Sequence, residues 1–161
     1  MALRKPVKEE FWKITSGYGP RVNPFPPPKV KYHYGIDLDT PWGTPIYAVD
    51  DGVVKKIDYD DVSGLYMIVE HPDNLESRFA HLYTWTKPEG TEIKKGEMIG
   101  ETGESGNVTG PHLHFGLKKN GRFINPADEK LYYNNLQPVF IGLAAAFSIY
   151  KILIPYLERK K

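Results

Sequence analysis

His112 and His114 stand two residues apart in the run Gly110-Pro111-His112-Leu113-His114-Phe115. The run is apolar and β-prone. Side chains alternate faces along a strand, so both imidazoles point the same way. Two imidazoles on one strand face can serve one metal ion, or one can bind metal while the other handles protons. A pair of surface histidines beside a turn has the same spacing, so the pair alone decides nothing. The rest of the chain adds donors. His33 opens His33-Tyr34-Gly35-Ile36-Asp37, a histidine and a carboxylate four residues apart, and His81 sits among strand formers in Phe79-Ala80-His81-Leu82-Tyr83. Zinc accepts imidazole nitrogen and carboxylate oxygen, and a catalytic zinc keeps three protein ligands and one open position. The sequence offers those donors with two histidines to spare.

On a straight strand His33 and Asp37 would lie ~13 Å apart. That is too far for both to reach an ion that binds at about 2 Å. As co-ligands they need a bend between them, and Gly35 is the residue that permits it. His71, in Glu70-His71-Pro72-Asp73, matches no site pattern and reads as an ordinary loop histidine.

The elements that must position these groups are strands. Pro45–Val49, Val53–Tyr59, Tyr66–His71, Arg78–Trp85 and His112–Lys118 are short runs rich in β-branched and aromatic residues. Asp51-Gly52, Ser63-Gly64 and Asn120-Gly121 punctuate them as turns. No segment before about residue 127 has a long helical period. The expected fold class is all-β: antiparallel strands in two sheets or a partly closed barrel. The segment Asn23-Pro24-Phe25-Pro26-Pro27-Pro28 cannot form a helix or a central strand. It reads as a stiff surface loop near the site or as a connector.

The ends differ from this body. Residues 1–10 read as a polar arm without the apolar run of a secretory signal. Val139 to Leu157 is nearly all apolar. As a helix it would span about 28 Å, close to the ~30 Å hydrocarbon core of a bilayer. Pro138 suits a helix start, and the flank Glu158-Arg159-Lys160-Lys161 favours the cytoplasmic side. Lys151 lies near the C-terminal end, where its stem can carry the charge outward. The expectation is a hydrophobic helix over residues 138–158 that anchors the chain in a membrane or packs in a protein assembly.

A length of 161 residues suits one domain with extensions. The net charge of +1 comes without a basic stripe, which excludes a nucleic-acid partner. The absence of cysteine excludes a thiolate metal site and a disulfide framework.

Five separated pieces, in order, resemble the lysostaphin-type zinc metallopeptidases, the M23 family of peptidoglycan endopeptidases that includes the LytM domain. They are Ile14-Thr15-Ser16-Gly17-Tyr18-Gly19-Pro20-Arg21, His33-Tyr34-Gly35-Ile36-Asp37, the stretch from Gly43 to Val54, Ala80-His81-Leu82, and Thr109 to Phe115. The similarity covers roughly residues 11–127. A glutamate often follows the final Phe in the family, and Gly116 stands there instead; that position is not a ligand. The resemblance implies a lysostaphin-like peptidase domain over residues 11–130, with one zinc per chain held by His33, Asp37 and His114 and with water in the fourth position. It assigns His81 and His112 to proton transfer and leaves open which is the general base. The implied substrate is a peptide stem or cross-bridge of bacterial peptidoglycan, and Tyr18, Arg21 and Tyr34 are candidates to line its groove. The implied location is the outer face of the cell envelope, held by the C-terminal anchor, or a bacteriophage virion.

Two other readings compete. A catalytically inactive LytM-type scaffold or activator of wall hydrolases would have lost ligands or catalytic histidines, and here all five positions are filled. The run from Gly90 to Gly100 resembles the lipoyl and biotinyl carrier domains, but the chain lacks their acceptor-lysine motif, and a carrier has no use for the histidines.

Overall fold

The protein is described from a computed structural model, which describes residues 2–22 and 30–132. The strands are β1 (Leu3–Arg4), β2 (Ile14–Ser16), β3 (Gly19–Val22), β4 (Val30–His33), β5 (Ile36–Asp39), β6 (Pro45–Tyr47) and β7 (Gly52–Asp60). They continue as β8 (Gly64–His71), β9 (Leu75–Trp85), β10 (Glu92–Ile93), β11 (Met98–Thr102), β12 (His112–Lys119), β13 (Arg122–Ile124) and β14 (Leu131–Tyr132). Short 3-10 turns occupy Glu9–Phe11 and Pro126–Asp128. The five runs expected as strands fall on β6, β7, β8, β9 and β12.

Alternation decides which face of each strand is core. On β12 Leu113, Phe115 and Leu117 are buried, and on β9 Leu75, Ser77 and Phe79 are buried. Phe79 and Phe115 are register partners on adjacent strands, with ring centroids 5.6 Å apart. Ile36 and Leu38 on β5, Met67 and Val69 on β8, and Ile46, Val54, Ile93 and Ile99 complete the core. The residues that alternate with them therefore turn to the opposite face, where Arg78 of β9 and His112 and His114 of β12 emerge. The hairpin from β12 to β13 is closed by Asn120 and Gly121 at φ +49° and +76°. Two consecutive left-handed residues are what a two-residue hairpin needs, and Asn-Gly supplies them at little steric cost.

The architecture is a mostly antiparallel β sandwich. Its main ladder runs β10-β7-β8-β9-β12-β5-β2, with β6-β11 joining on β9 and β13 on β12. β3 and β4 form a separate hairpin, and β1 and β14 a short parallel pair. The N-terminal residues read as a polar arm contribute Leu3 and Val7 to the core.

Two expectations need correction. A partly closed barrel does not form. The end strands β10 and β2 have two and three residues and, among the described residues, pair only with β7 and β5, so the ladder stays open. The C-terminal hydrophobic helix is also not supported. Residues 138–158 lie outside the described residues, as does the proline-rich loop at 23–28, and among the described residues no helix is long and apolar enough to cross a membrane. The membrane or assembly partner, and the anchored or virion location that rested on that helix, lose their basis with it.

Candidate functional site

Asp37 and His114 meet through strand register. β5 and β12 are antiparallel, and Asp37 is directly opposite His114. Directly opposed residues bring their Cβ atoms to about 5 Å, close enough for side chains to touch. His33 arrives differently. It ends β4, paired with Gly19 of the separate hairpin, and the chain bends at Tyr34-Gly35 before entering β5. Gly35 is required by space: a Cβ there would lie 2.6 Å from the Phe115 carbonyl oxygen and 2.7 Å from His114 Cε1.

The result is a tight triangle. His114 Nδ1 is 2.9 Å from Asp37 Oδ1 and 2.9 Å from His33 Nε2, and His33 Nε2 is 3.1 Å from Asp37 Oδ1. Each edge is shorter than twice a metal–ligand distance of ~2.0–2.2 Å, so one ion can reach all three donors. This is a His-Asp-His metal-binding triad. Its surroundings fix the donors. His33 Nδ1 lies 2.8 Å from the Gly17 carbonyl, which can only accept, so Nδ1 carries the proton and Nε2 keeps its lone pair. Arg21 Nη2 donates to the second oxygen of Asp37 at 2.7 Å and to Ser16 Oγ at 2.6 Å. These two acceptors bring it within 2.7 Å of His33 Nδ1 as well. Burial opposes ionisation of Asp37, but bonds to His114, His33 and Arg21 outweigh it and hold the carboxyl well below the usual range. Burial lowers the His114 pKa, against the pull of Asp37.

His81 and His112 lie beside the triangle. Their ring centroids are 4.6 Å apart, and His81 is 6.1 Å from the ring of His114. Both are turned by one device: His112 Nδ1 is 2.9 Å from the Gly110 carbonyl, and His81 Nδ1 is 2.9 Å from the Ser105 carbonyl. Each Nδ1–H therefore donates to backbone, and each Nε2 is left as an acceptor without a hydrogen-bond partner among the described residues. Burial pushes the His81 pKa down to about 4, so its imidazole is neutral at neutral pH.

His81 reaches this position through an irregularity. Met67 pairs with Phe79 and Leu65 with Leu82, so β9 holds one more residue than β8 across that interval. The same point is where β9 exchanges its neighbour β12 for β11. His81 takes φ +63°, unusual outside glycine. Strict alternation from Phe79 would send His81 into the core. The bulge sends Leu82 there instead and turns His81 outward.

One cavity of about 480 Å³ holds all five groups, together with Arg21, Tyr32, Tyr34, Ser63, Arg78 and Phe123. Tyr32, Tyr34 and Phe123 form an aromatic wall, with successive centroids 4.8 and 4.7 Å apart. Of the groove candidates, Arg21 and Tyr34 line this cavity. Tyr18 packs behind Tyr32 at 5.3 Å, and its hydroxyl donates to the Phe123 carbonyl. His71 stands apart, buried at the end of β8 rather than in a loop, with Asp51 and Ser77 as partners. Arg78 and Ser63 were not singled out from the sequence. The alternation on β9 carried the signal for Arg78, because it lies next to core Phe79 and so on the site face.

Residues 31–126 match the model of Peptidase family M23. The chain belongs to peptidase family M23. It is 36% identical over 129 residues to the peptidoglycan DD-endopeptidase ShyC of Vibrio cholerae serotype O1, covering 80% of this chain and 29% of that protein. This M23 chain thus spans under a third of that curated relative. Among solved structures it is similar to a zinc-containing peptidase from Vibrio cholerae, with TM-score 0.76 and 33% identity over 82% of this chain and 41% of that one. It is also similar to the catalytic domain of lysostaphin from Staphylococcus simulans, with TM-score 0.63 and 27% identity over 72% of this chain and 90% of that one. The open sheet of this M23 domain and the hairpin β3–β4 are what deliver its triad.

Proposed function

We propose that this chain is a zinc-dependent endopeptidase that hydrolyses peptide bonds in the stems or cross-bridges of bacterial peptidoglycan. One observation carries the reading: three N/O donors within 4.8 Å of one another share a cavity with two histidines whose Nε2 atoms are free to exchange protons. Family membership and the peptidoglycan endopeptidase named among the relatives support the substrate class. The peptidase motifs lie within residues 11–130, and Leu3 and Val7 complete the core beneath them.

The donor set fits zinc. It has two imidazole nitrogens, one carboxylate oxygen and no thiolate. His33 Nε2, Asp37 Oδ1 and His114 Nδ1 would hold one ion per chain. When bound, the ion supplies Lewis-acid polarisation of the scissile carbonyl and eases the ionisation of water.

The protein's own groups do the rest. His81 and His112 each present Nε2 to the cavity, fixed through Nδ1. One accepts the proton of the attacking water, and the other stabilises the carbonyl oxygen or protonates the departing amine. His81 enters uncharged because burial keeps it so. His114, His33 and Arg21 together hold Asp37 ionised, and Arg21 fixes its second oxygen. The aromatic wall and Arg78 flank the space for the peptide. An inactive scaffold would be expected to lack one of the five groups, and none is missing.

The test is release of new amino groups from purified peptidoglycan. A chelator should abolish it, and zinc should restore it to the stripped protein. No release at full zinc occupancy would overturn the reading.

A further inference from the structure

Two arginines line the cavity, and Arg21 is committed to Asp37 and Ser16. Arg78 is not tied to the metal centre. It projects from β9 on the site face, opposite Gly116 of β12, which presents no side chain beside it. Its guanidinium carbon lies 4.2 Å from the centroid of the buried Tyr66 ring. Nη2 donates to Ser63 Oγ at 2.8 Å. The nearest carboxylate, Asp60 Oδ2, is 3.6 Å away, beyond a hydrogen bond. It is an ion-pair contact only, and the other oxygen, Oδ1, accepts the amides of Val62 and Ser63. The guanidinium is therefore held over the Tyr66 ring by a cation–π contact, by one hydrogen bond and by the Asp60 ion pair. Its Nε and Nη1 donors have no hydrogen-bond partner among the described residues.

A guanidinium stays charged at every working pH and presents its donors as a planar fork matched to carboxylate. Holding that fork rigid in a cleft lowers the entropy lost on binding. A neutral peptide would leave the charge only partly compensated by Asp60. We propose that Arg78 forms a carboxylate-binding subsite, so that the chain prefers stem peptides bearing a free carboxylate beside the scissile bond over the same peptides with that carboxylate amidated. The proposal rests on the peptidase reading for the identity of the ligand. It goes beyond that reading by naming the group that selects among substrates.

The experiment uses the zinc-loaded full chain and a synthetic stem peptide in two forms, free acid and primary amide at that one position. Binding is measured by titration calorimetry, and hydrolysis is followed separately by chromatography. The acid should bind about 10- to 100-fold more tightly, as for a charge-assisted hydrogen-bonded pair. Arg78→Met should erase the preference, and Arg78→Lys should keep part of it, since charge remains and the fork is lost. Equal binding of acid and amide by the wild-type chain would overturn the subsite, and that comparison needs no variant to fold. A preference unchanged in Arg78→Met would overturn it as well. Preferential binding of the acid without hydrolysis of either form would uphold the subsite and sink the peptidase reading. Hydrolysis of both forms without preference would do the reverse.

Discussion

His81 and His112 face each other at a ring-centroid distance of 4.6 Å, each with Nδ1 on a backbone carbonyl and Nε2 toward the cavity. They come from β9 and β12 at the point where those strands cease to pair. Two imidazoles in the same tautomeric state, turned by the same device, could act as one proton-handling unit, as the proposed function requires.

That unit should fail as a unit. His112→Ala should keep metal and fold while turnover falls ~10²–10⁴-fold, the usual cost of losing a general acid or base. His81→Asn should behave alike, and asparagine is the better probe than alanine because it tolerates φ +63°. The double variant should be much less impaired than the product of the single effects. Amino-group release at matched metal occupancy checks all three. Near-wild-type turnover in His112→Ala would defeat the assignment.

His114, two residues along the same strand, should behave differently. His114→Ala leaves two donors and should lose the metal, and activity with it, by elemental analysis. Arg21→Met should keep all three donors but weaken metal binding by about 10- to 100-fold, because Asp37 loses the bond that orients it. Competition against a chromogenic chelator measures this without recourse to activity. Unchanged affinity would reduce Arg21 to a surface ion pair.

Gly35→Ala should damage the same centre from outside the donor set. Its Cβ would lie 2.6 Å from a backbone oxygen and 2.7 Å from the His114 ring. Relief requires β5 to move from β12 or the imidazole to leave its place. A loss of about 1–3 kcal/mol in stability is expected from the overpacking, with weaker metal binding. Chemical denaturation and metal titration check the two parts. Wild-type values in both would show that the bend has slack.

His71 gives a pH dependence separate from the site. Burial lowers its pKa in the folded chain below the ordinary value. The folded state then binds fewer protons than the unfolded one, so this contribution to stability is complete above about pH 6.5 and is lost as pH falls through the folded pKa. His71→Gln should flatten the stability profile in that window. Part of the slope should remain, because His81 is lowered in the same sense. Denaturant midpoints at several pH values test it, and an unchanged profile would remove His71 from the account.

The sequence by itself determined the donor types, the same-face spacing of His112 and His114, the strand-rich body and the Asn120-Gly121 turn. These are local properties, set by side-chain chemistry and by a period of two. It also implied a bend at Gly35, because a straight strand keeps His33 from Asp37. Tertiary structure decided the rest. The register of β5 on β12 puts Asp37 opposite His114, and register depends on how two distant strands bury their apolar faces together. The bulge that turns His81 outward is invisible locally, since Phe79-Ala80-His81-Leu82-Tyr83 reads as an unbroken strand. Which arginine is spent on Asp37 and which remains open to the cavity follows from partners far away in the chain. The expected barrel failed for a similar reason: closure depends on whether the two end strands can reach each other, and no local pattern records that distance.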